Sequence, residues 1–536
     1  MKRLLFALTF VATTSIHAQT VAVAPATAAA AHVQSLAGSA PADVRNFYAP
    51  AGYQPVWTRN GRPTAQAQAV IATLENAAAK GLDAADYGNQ WSARIAALRG
   101  DAAIAAFDVD LTTSLMRYAT DVRIGRVHPS EVSIELDAAA RRLYLPSFVA
   151  QVVAASDAAS AIAAIEPRHE QYRRLLTALA KYRRIETESK QDAPLPVMPK
   201  LAPGVDYEAL AQLATVLQRH GDLAADVKVN GTRYEGAVVD AVKRFQARHG
   251  LDADGIIGRT TFAQLNAPAA SRVAQIELSL ERWRWIAAQA DGPSIIVNIP
   301  EFKLRASDGN DELTMRVVVG KAAGHRTPVF DGDIKHVVFR PSWSVPPNIQ
   351  RNEILPKIAN NPGYLARNHY ELVDNSGRAV GSHVDGDTIR RIKNGSLRVR
   401  QKPGTHNALG LVKFLFPNDN HVYLHSTPQQ ALFDRTRRDF SHGCIRVEDP
   451  AALAAWVLRA QPQWSSEKIA AAMTGKRDDV YVKVERPISV VLFYATAVVE
   501  ADGSVKFLDD IYGHDVQLAK ALAPAKVNGA VMVAAK

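Results

Sequence analysis

The sequence predicts a multidomain α+β protein, and three observations carry that expectation. The chain has 536 residues, too many for one hydrophobic core. Its apolar residues recur at helical spacing through the first half and alternate as in strands through the second. Between the two patterns lie a stretch rich in Pro, Lys and Asp, read as a linker over residues 186–206, and a small helical unit. The expected plan is a helical N-terminal scaffold over 44–185 and a small three-helix module over 207–267. A connecting helix over 268–293 then leads to a β-rich domain over 294–523, which carries an insertion at 348–399.

The first residues read as an export signal over 1–18. Lys2 and Arg3 precede the apolar run Leu4 to Val11, and Ala18 offers a cleavage point. That run is shorter than the ~20 residues of a membrane span, and no later segment reaches that length. An alanine-rich stretch over 19–43 reads as a loosely ordered lead-in. Helices follow, with Leu111, Leu115, Tyr118 and Val122 on one stripe and Tyr172, Leu175, Leu176, Leu179 and Tyr182 on another. His128 stands alone before Pro129 at a helix exit, which suits a structural role. In the small module Val238, Val242 and Phe245 share a helix face that Gly250 closes. The turn Asp254-Gly255 precedes a further helix with Leu265 inward.

From Ser294 the period changes to two. Ile295, Val297 and Ile299 face one way; Met315, Val317 and Val319 follow the turn Asp308-Gly309; Val337 and Phe339 begin another strand. Strand patterning continues to Val480–Val484 and Val490–Phe493. The insertion breaks it with helix-like and loop segments, as expected of a unit laid over the sheet. The tail 524–536 carries no clear signal.

The formal net charge is +10, spread along the chain, so it selects no partner by itself. Export argues against nucleic acid as that partner. The chain has one cysteine, Cys444, so it has neither an internal disulfide nor a lipoprotein cysteine after the signal. Such a cysteine is either buried and inert or reactive.

The residues around it favour reactivity. His421-Val422-Tyr423-Leu424-His425-Ser426-Thr427-Pro428 alternates like a strand, and Phe440-Ser441-His442-Gly443-Cys444 turns toward a helix through Pro450 and Trp456. A neighbouring imidazole and a helix N-terminus both favour a thiolate. His425, nineteen positions before Cys444, is the candidate base. Gly443 lets the backbone turn its amides toward an oxyanion, and His442 is placed to orient the site or add a donor. Zinc fits poorly: His421 and His425 on a strand stand ~13 Å apart, and a structural site needs four ligands. No metal and no cofactor are expected.

The stretch from about Ser294 to Tyr512 resembles the YkuD-type catalytic domain of L,D-transpeptidases. Ser441-His442-Gly443-Cys444 with His425 upstream carries the resemblance, supported by Val319-Gly320 and Thr327-Pro328. Trp343-Ser344-Val345-Pro346-Pro347, Glu353-Ile354-Leu355-Pro356, Pro403 to Gly410 and Phe416-Pro417-Asn418 are similar to the large YcbB-like subgroup. Phe245-Gln246, His249-Gly250-Leu251 and Asp254-Gly255 resemble a peptidoglycan-binding domain. The resemblance implies a periplasmic wall enzyme acting on peptidoglycan stem peptides, tetrapeptide donor and diaminopimelate acceptor, with wall-synthesis proteins as further partners. Cys444 would form a thioester, release D-Ala and pass the acyl group to an amine as a 3→3 cross-link. Carbapenems would acylate the same thiol, and the insertion would serve as a lid. Arg446, Tyr423, Trp343, Asn407, Ser441 and Ser426 are candidate substrate contacts. Hydrolysis by the same thiol, attachment or release of a wall protein, and a non-catalytic binding scaffold all remain open at this point.

Overall fold

A computed structural model describes residues 27–137, 142–286, 292–309 and 311–523. The expected signal over 1–18, the start of the lead-in and the tail over 524–536 lie outside the described residues.

The alanine-rich lead-in is a helix from Ala28 onward, not a loose segment. Helix α1 (Ala28–Ser39) is capped by Thr27, which accepts the Ala30 N–H at 3.1 Å. Alanine has the highest helix propensity, and Val33 and Ala37 give the segment an apolar edge that packs on helix α2 (Asp101–Ile124). Leu111, Leu115, Tyr118 and Val122 of α2 are buried in the same core. Asp108 is also inside, where it accepts from the Trp57 N–H at 2.8 Å and the Tyr48 hydroxyl at 2.7 Å. Burial raises its carboxyl to about 6. His128 caps the turn Pro129–Val132.

Helix α3 (Glu170–Glu188) buries Tyr172, Leu175, Leu179 and Tyr182, but in the core of the β-rich domain rather than that of α1 and α2. The linker is also packed: Leu195 and Asn266 exchange two hydrogen bonds, at 2.7 and 2.9 Å. In the module, helix α4 (Ala237–Arg248) turns its Val238, Val242 and Phe245 inward, and Gly250 has φ +66. Arg248 pairs with Asp222 at 2.6 Å and donates to the Val505 carbonyl at 3.1 Å. His249 stacks on Phe245 with ring centres 3.9 Å apart and meets Phe507 at 5.9 Å, so the module is joined to the hairpin formed by Ala497–Val499 and Val505–Phe507.

The connecting helix is a central post. In helix α5 (Ala269–Ile286) Glu281, Arg282 and Arg284 are almost wholly buried. Glu281 meets Arg284 at 2.8 Å and accepts the Val127 N–H at 3.0 Å, while Arg282 reaches Asp515 at 2.5 Å. Pairing offsets part of the cost of burying these charges, so hydropathy alone hides the burial.

The β-rich domain is built from β1 (Ser294–Asn298), β2 (Lys303–Asp308), β3 (Asp311–Gly320) and β4 (Phe330–Phe339). Next come β5 (Trp343–Ser344), β6 (Tyr370–Val373), β7 (Ala379–Gly381), β8 (Arg398–Gln401) and β9 (Val412–Leu415). The last are β10 (Leu424–His425), β11 (Asp439–Ser441), β12 (Ile445–Val447) and β13 (Val480–Phe493). Spatial order in the main sheet is β11-β3-β12-β10-β9-β4-β13-β1-β2, and β2 also pairs with β3, so the sheet closes on itself. The insertion forms its own sheet, β7-β6-β8-β5, over a separate core of Ile354, Ile358, Leu365, Leu372 and Val399.

Candidate active site

Strands β10 and β12 run parallel, with Leu424 opposite Ile445 and His425 opposite Arg446. Leu424 and Ile445 are fully buried on the core face. Alternation therefore turns Tyr423, His425, Cys444 and Arg446 to the other face. Two sequence-distant segments become neighbours by strand pairing alone.

Cys444 sits between β11 and β12, and the next helix, α6 (Pro450–Val457), begins only six residues on. The thiol therefore lacks the helix N-terminus that the sequence suggests. Ile445, Arg446 and Val447 make a short strand instead, because their apolar side chains alternate. The sulfur lies 3.8 Å from the His421 carbonyl. Burial pushes the thiol up from its ordinary value; hydrogen bonds from Tyr423 and the charge of Arg446 offset only part of this.

His425 is buried, and its Nδ1 lies 2.5 Å from the Ser426 carbonyl. A carbonyl only accepts, so Nδ1 carries the proton and Nε2 holds the lone pair in the neutral ring. Burial first, and Arg446 second, depress this histidine to about 3, against the Ser426 and Leu409 carbonyls. At neutral pH the pair is thiol and imidazole, not thiolate and imidazolium. Enclosure of both groups is the physical reason.

The turn bearing Cys444 is held from beneath. Ser441 accepts the Gly443 N–H at 3.1 Å and donates to the Cys444 carbonyl at 2.6 Å. Ser441 is a buried positioning residue, and the Gly443 amide is spent on it. The Cys444 amide has no hydrogen bond among the described residues, so it is the amide free to face an oxyanion. Gly443 has φ +117, a region that disfavours side chains. Its carbonyl accepts from the Thr327 hydroxyl at 2.8 Å, and Thr327 Oγ1 in turn accepts the Gly320 N–H at 2.9 Å. Tyr512 donates to the Gly320 carbonyl at 2.6 Å. His442 turns outward: its Nε2 is 2.6 Å from Glu353 of the insertion, and its ring stands edge-on to His325 at 4.5 Å. Burial lowers its pKa, with Glu353 opposing.

The remaining candidates separate. Arg446 bonds Gln429, and its buried Nε has no partner among the described residues. Tyr423 lies beside the thiol, its phenol raised by burial and by Cys444, while Trp343 from β5 acts on it in the opposite sense. Asn407 is fully buried: Nδ2 donates to the carbonyls of Pro341 and Lys402 at 3.1 and 2.9 Å, and Oδ1 accepts the Leu409 N–H at 2.8 Å. It braces the loop behind His425 and is closed to a substrate. Ser426 is likewise buried, against Gly410, where an added Cβ would meet its Oγ at 2.4 Å. Among the described residues no three His, Cys, Asp or Glu side chains converge as metal ligands would.

Comparison with known families gives three matches: a Scaffold domain over residues 42–179, a putative peptidoglycan binding domain over 206–265, and an L,D-transpeptidase catalytic domain, YkuD, over 292–482. The chain carries a YkuD L,D-transpeptidase domain. A putative L,D-transpeptidase of Haemophilus influenzae is 35% identical over 246 residues, covering 46% of this chain and 48% of that protein. The match thus spans about half the length of that relative. A crystal structure of an L,D-transpeptidase from Stackebrandtia nassauensis aligns with 56% of this chain and 97% of its own at 14% identity, with a TM-score of 0.22, too low to carry an argument.

Within the transpeptidase domain, sequence reasoning missed the network of Gly320, Thr327 and Tyr512 and the reach of Glu353 to His442. The turns Val319-Gly320 and Thr327-Pro328 were the available signal for the network. Two adjoining cavities of about 430 and 370 Å³ lie between the module and residues 433–438, and neither Cys444 nor His425 lines them.

Proposed function

We propose that the protein is a periplasmic L,D-transpeptidase of the YcbB-like kind that forms 3→3 peptidoglycan cross-links through a Cys444 thioester. The observation that carries this reading is Cys444 and His425 on one face of two paired strands inside the YkuD domain. His425 Nε2 takes the thiol proton as the sulfur attacks the carbonyl of the third residue of a tetrapeptide stem. Because thiol and imidazole start neutral, proton transfer accompanies attack. The oxyanion faces the Cys444 amide, which is not otherwise bonded. His425 then gives its proton to the departing D-Ala amine, leaving the thioester. The side-chain amine of a neighbouring stem attacks it and restores the thiol.

Arg446, with its unpartnered Nε, suits a carboxylate of the donor stem. Tyr423 and Trp343 line the same wall, and Trp343 ties it to the insertion, which would shield the thioester from water. The peptidoglycan binding match supports wall substrates, and no helix among the described residues is long and apolar enough to cross a membrane. Carbapenems are expected to acylate Cys444.

The test is intact-protein and product mass spectrometry with a disaccharide-tetrapeptide. A thioester on Cys444, free D-Ala and a cross-linked dimer are the expected result. Tripeptide without dimer would reassign the site to hydrolysis. A folded protein with neither adduct nor turnover would overturn the reading.

A further inference from the structure

The surroundings of Cys444 are polarised. On the strand side stand Arg446, whose charge acts on both the thiol and His425, and Lys413, opposite His425 in the ladder. On the insertion side stands Glu353, in the π-helical turn Gln350–Ile354 that interrupts the helical path into Leu355–Asn360. Such π-turns recur at functional sites because they re-aim a side chain. Glu353 Oε1 lies 2.6 Å from His442 Nε2, the side chain is 40% exposed, and it bonds no other side chain among the described residues.

His442 faces Glu353, His325 and Lys321. Burial, with His325 and Lys321 acting in the same sense, outweighs the carboxylate, so its pKa lies below the ordinary value. The ring is then neutral at pH 7, with Nε2–H donated to Glu353 and a lone pair left on Nδ1. A carboxylate with room for a second partner thus stands beside an imidazole able to accept a proton, two residues from the nucleophile.

We infer that Glu353 and His442 form the receiving site for the primary ammonium group of the acceptor stem, an inference that rests on the transpeptidase reading above. An ammonium has no lone pair and must lose a proton before it attacks. Glu353 binds one N–H of the cation, and His442 Nδ1 takes a proton from it. The freed amine attacks the thioester carbon; the C–N bond forms, the C–S bond breaks, and the sulfur leaves as thiolate. The second amine proton returns through His425 to the sulfur, and His442 releases its proton to water. Charge also sorts the two substrates. Arg446 and Lys413 on the strand side attract a donor carboxylate and repel an ammonium, and Glu353 supplies the attraction for the ammonium against Lys321. Water, being neutral, gains less from Glu353 than an ammonium does, so the carboxylate favours transfer over hydrolysis.

The experiment compares the full chain with Glu353→Gln on disaccharide-tetrapeptide, measuring the ratio of cross-linked dimer to tripeptide across acceptor concentration. The ratio is expected to fall about tenfold or more, the scale of a lost contact to a charged group, with a raised half-saturating acceptor concentration. D-Ala release should slow less than dimer formation, and Glu353→Asp should recover part of the ratio. A wild-type ratio and acceptor dependence in Glu353→Gln would overturn the inference while leaving the transpeptidase reading intact. A wild-type chain that forms no thioester would overturn that reading and this inference with it.

Discussion

His425 and His442 both neighbour Cys444, one through strand pairing and one through the chain, yet they stand on different ground. His425 lies in a two-residue strand, paired on both sides, with Nδ1 committed to a carbonyl and a pKa of about 3. His442 lies in a turn, exposed on one side and in contact with an inserted unit that has its own core. The strand wall carries Arg446 and Lys413, and the insertion wall presents Glu353 to His442 beside Lys321. Covalent chemistry needs a fixed nucleophile and base, whereas admitting a second substrate needs a face that opens. In the proposed reaction the first wall serves the nucleophile and base and the second serves the incoming amine.

The comparison breaks most sharply at the nucleophile. Cys444→Ala should abolish thioester formation while far-UV circular dichroism and the melting temperature stay close to wild type; residual cross-linking would remove the sulfur from its role. His425→Ala should lower kcat/KM by ~10² or more, the scale of a lost general base. Full activity there would shift the base to the insertion wall.

The pH dependence tests whether the strand wall holds a neutral pair. With the thiol above its ordinary value, the thiolate fraction should climb about tenfold per pH unit through pH 8, so alkylation by a neutral haloacetamide should do the same. His425, at about 3, stays uncharged over that range and adds no step of its own. A rate already level at pH 7 would mean a preformed thiolate.

Smaller effects test the supports. Asn407→Ala should cost about 1–3 kcal/mol of stability, because it strands buried carbonyls, and the loss is readable as a lower denaturant midpoint. A raised KM at unchanged stability would return Asn407 to the substrate. Gly320→Ala would set a Cβ 2.0 Å from the His325 carbonyl, and the displaced turn should cost about 1–3 kcal/mol. The two losses should differ in kind, since Gly320 and Thr327 hold the Cys444 turn and Asn407 holds the loop behind His425.

Much of the site is legible along the chain. A lone cysteine after Ser-His-Gly and a histidine ending an alternating run are local patterns, and local patterns survive translation into coordinates. The strand after Cys444 is only three residues long, so the alternation of Ile445 and Val447 is too short to be told from the approach to the helix at Pro450. The supports are different. Thr327 meets Gly443 from 116 positions away and Tyr512 meets Gly320 from 192, and no spacing rule reaches so far. The buried charges of α5 are hidden for a related reason: Glu281 and Arg282 look solvated until Val127 and Asp515 arrive to pair with them.

By itself, then, the sequence determined the helix and strand periods, the family of the C-terminal domain and the identity of the candidate thiol and base, all of which depend on side-chain chemistry and near-neighbour spacing. Only the tertiary structure decided the protonation of that pair, the spending of the Gly443 amide, the retreat of Asn407 and Ser426 into the core and the turning of His442 toward Glu353. Those depend on burial and on partners far off in the chain, and both exist only once the sheet has closed and the insertion has been laid across it.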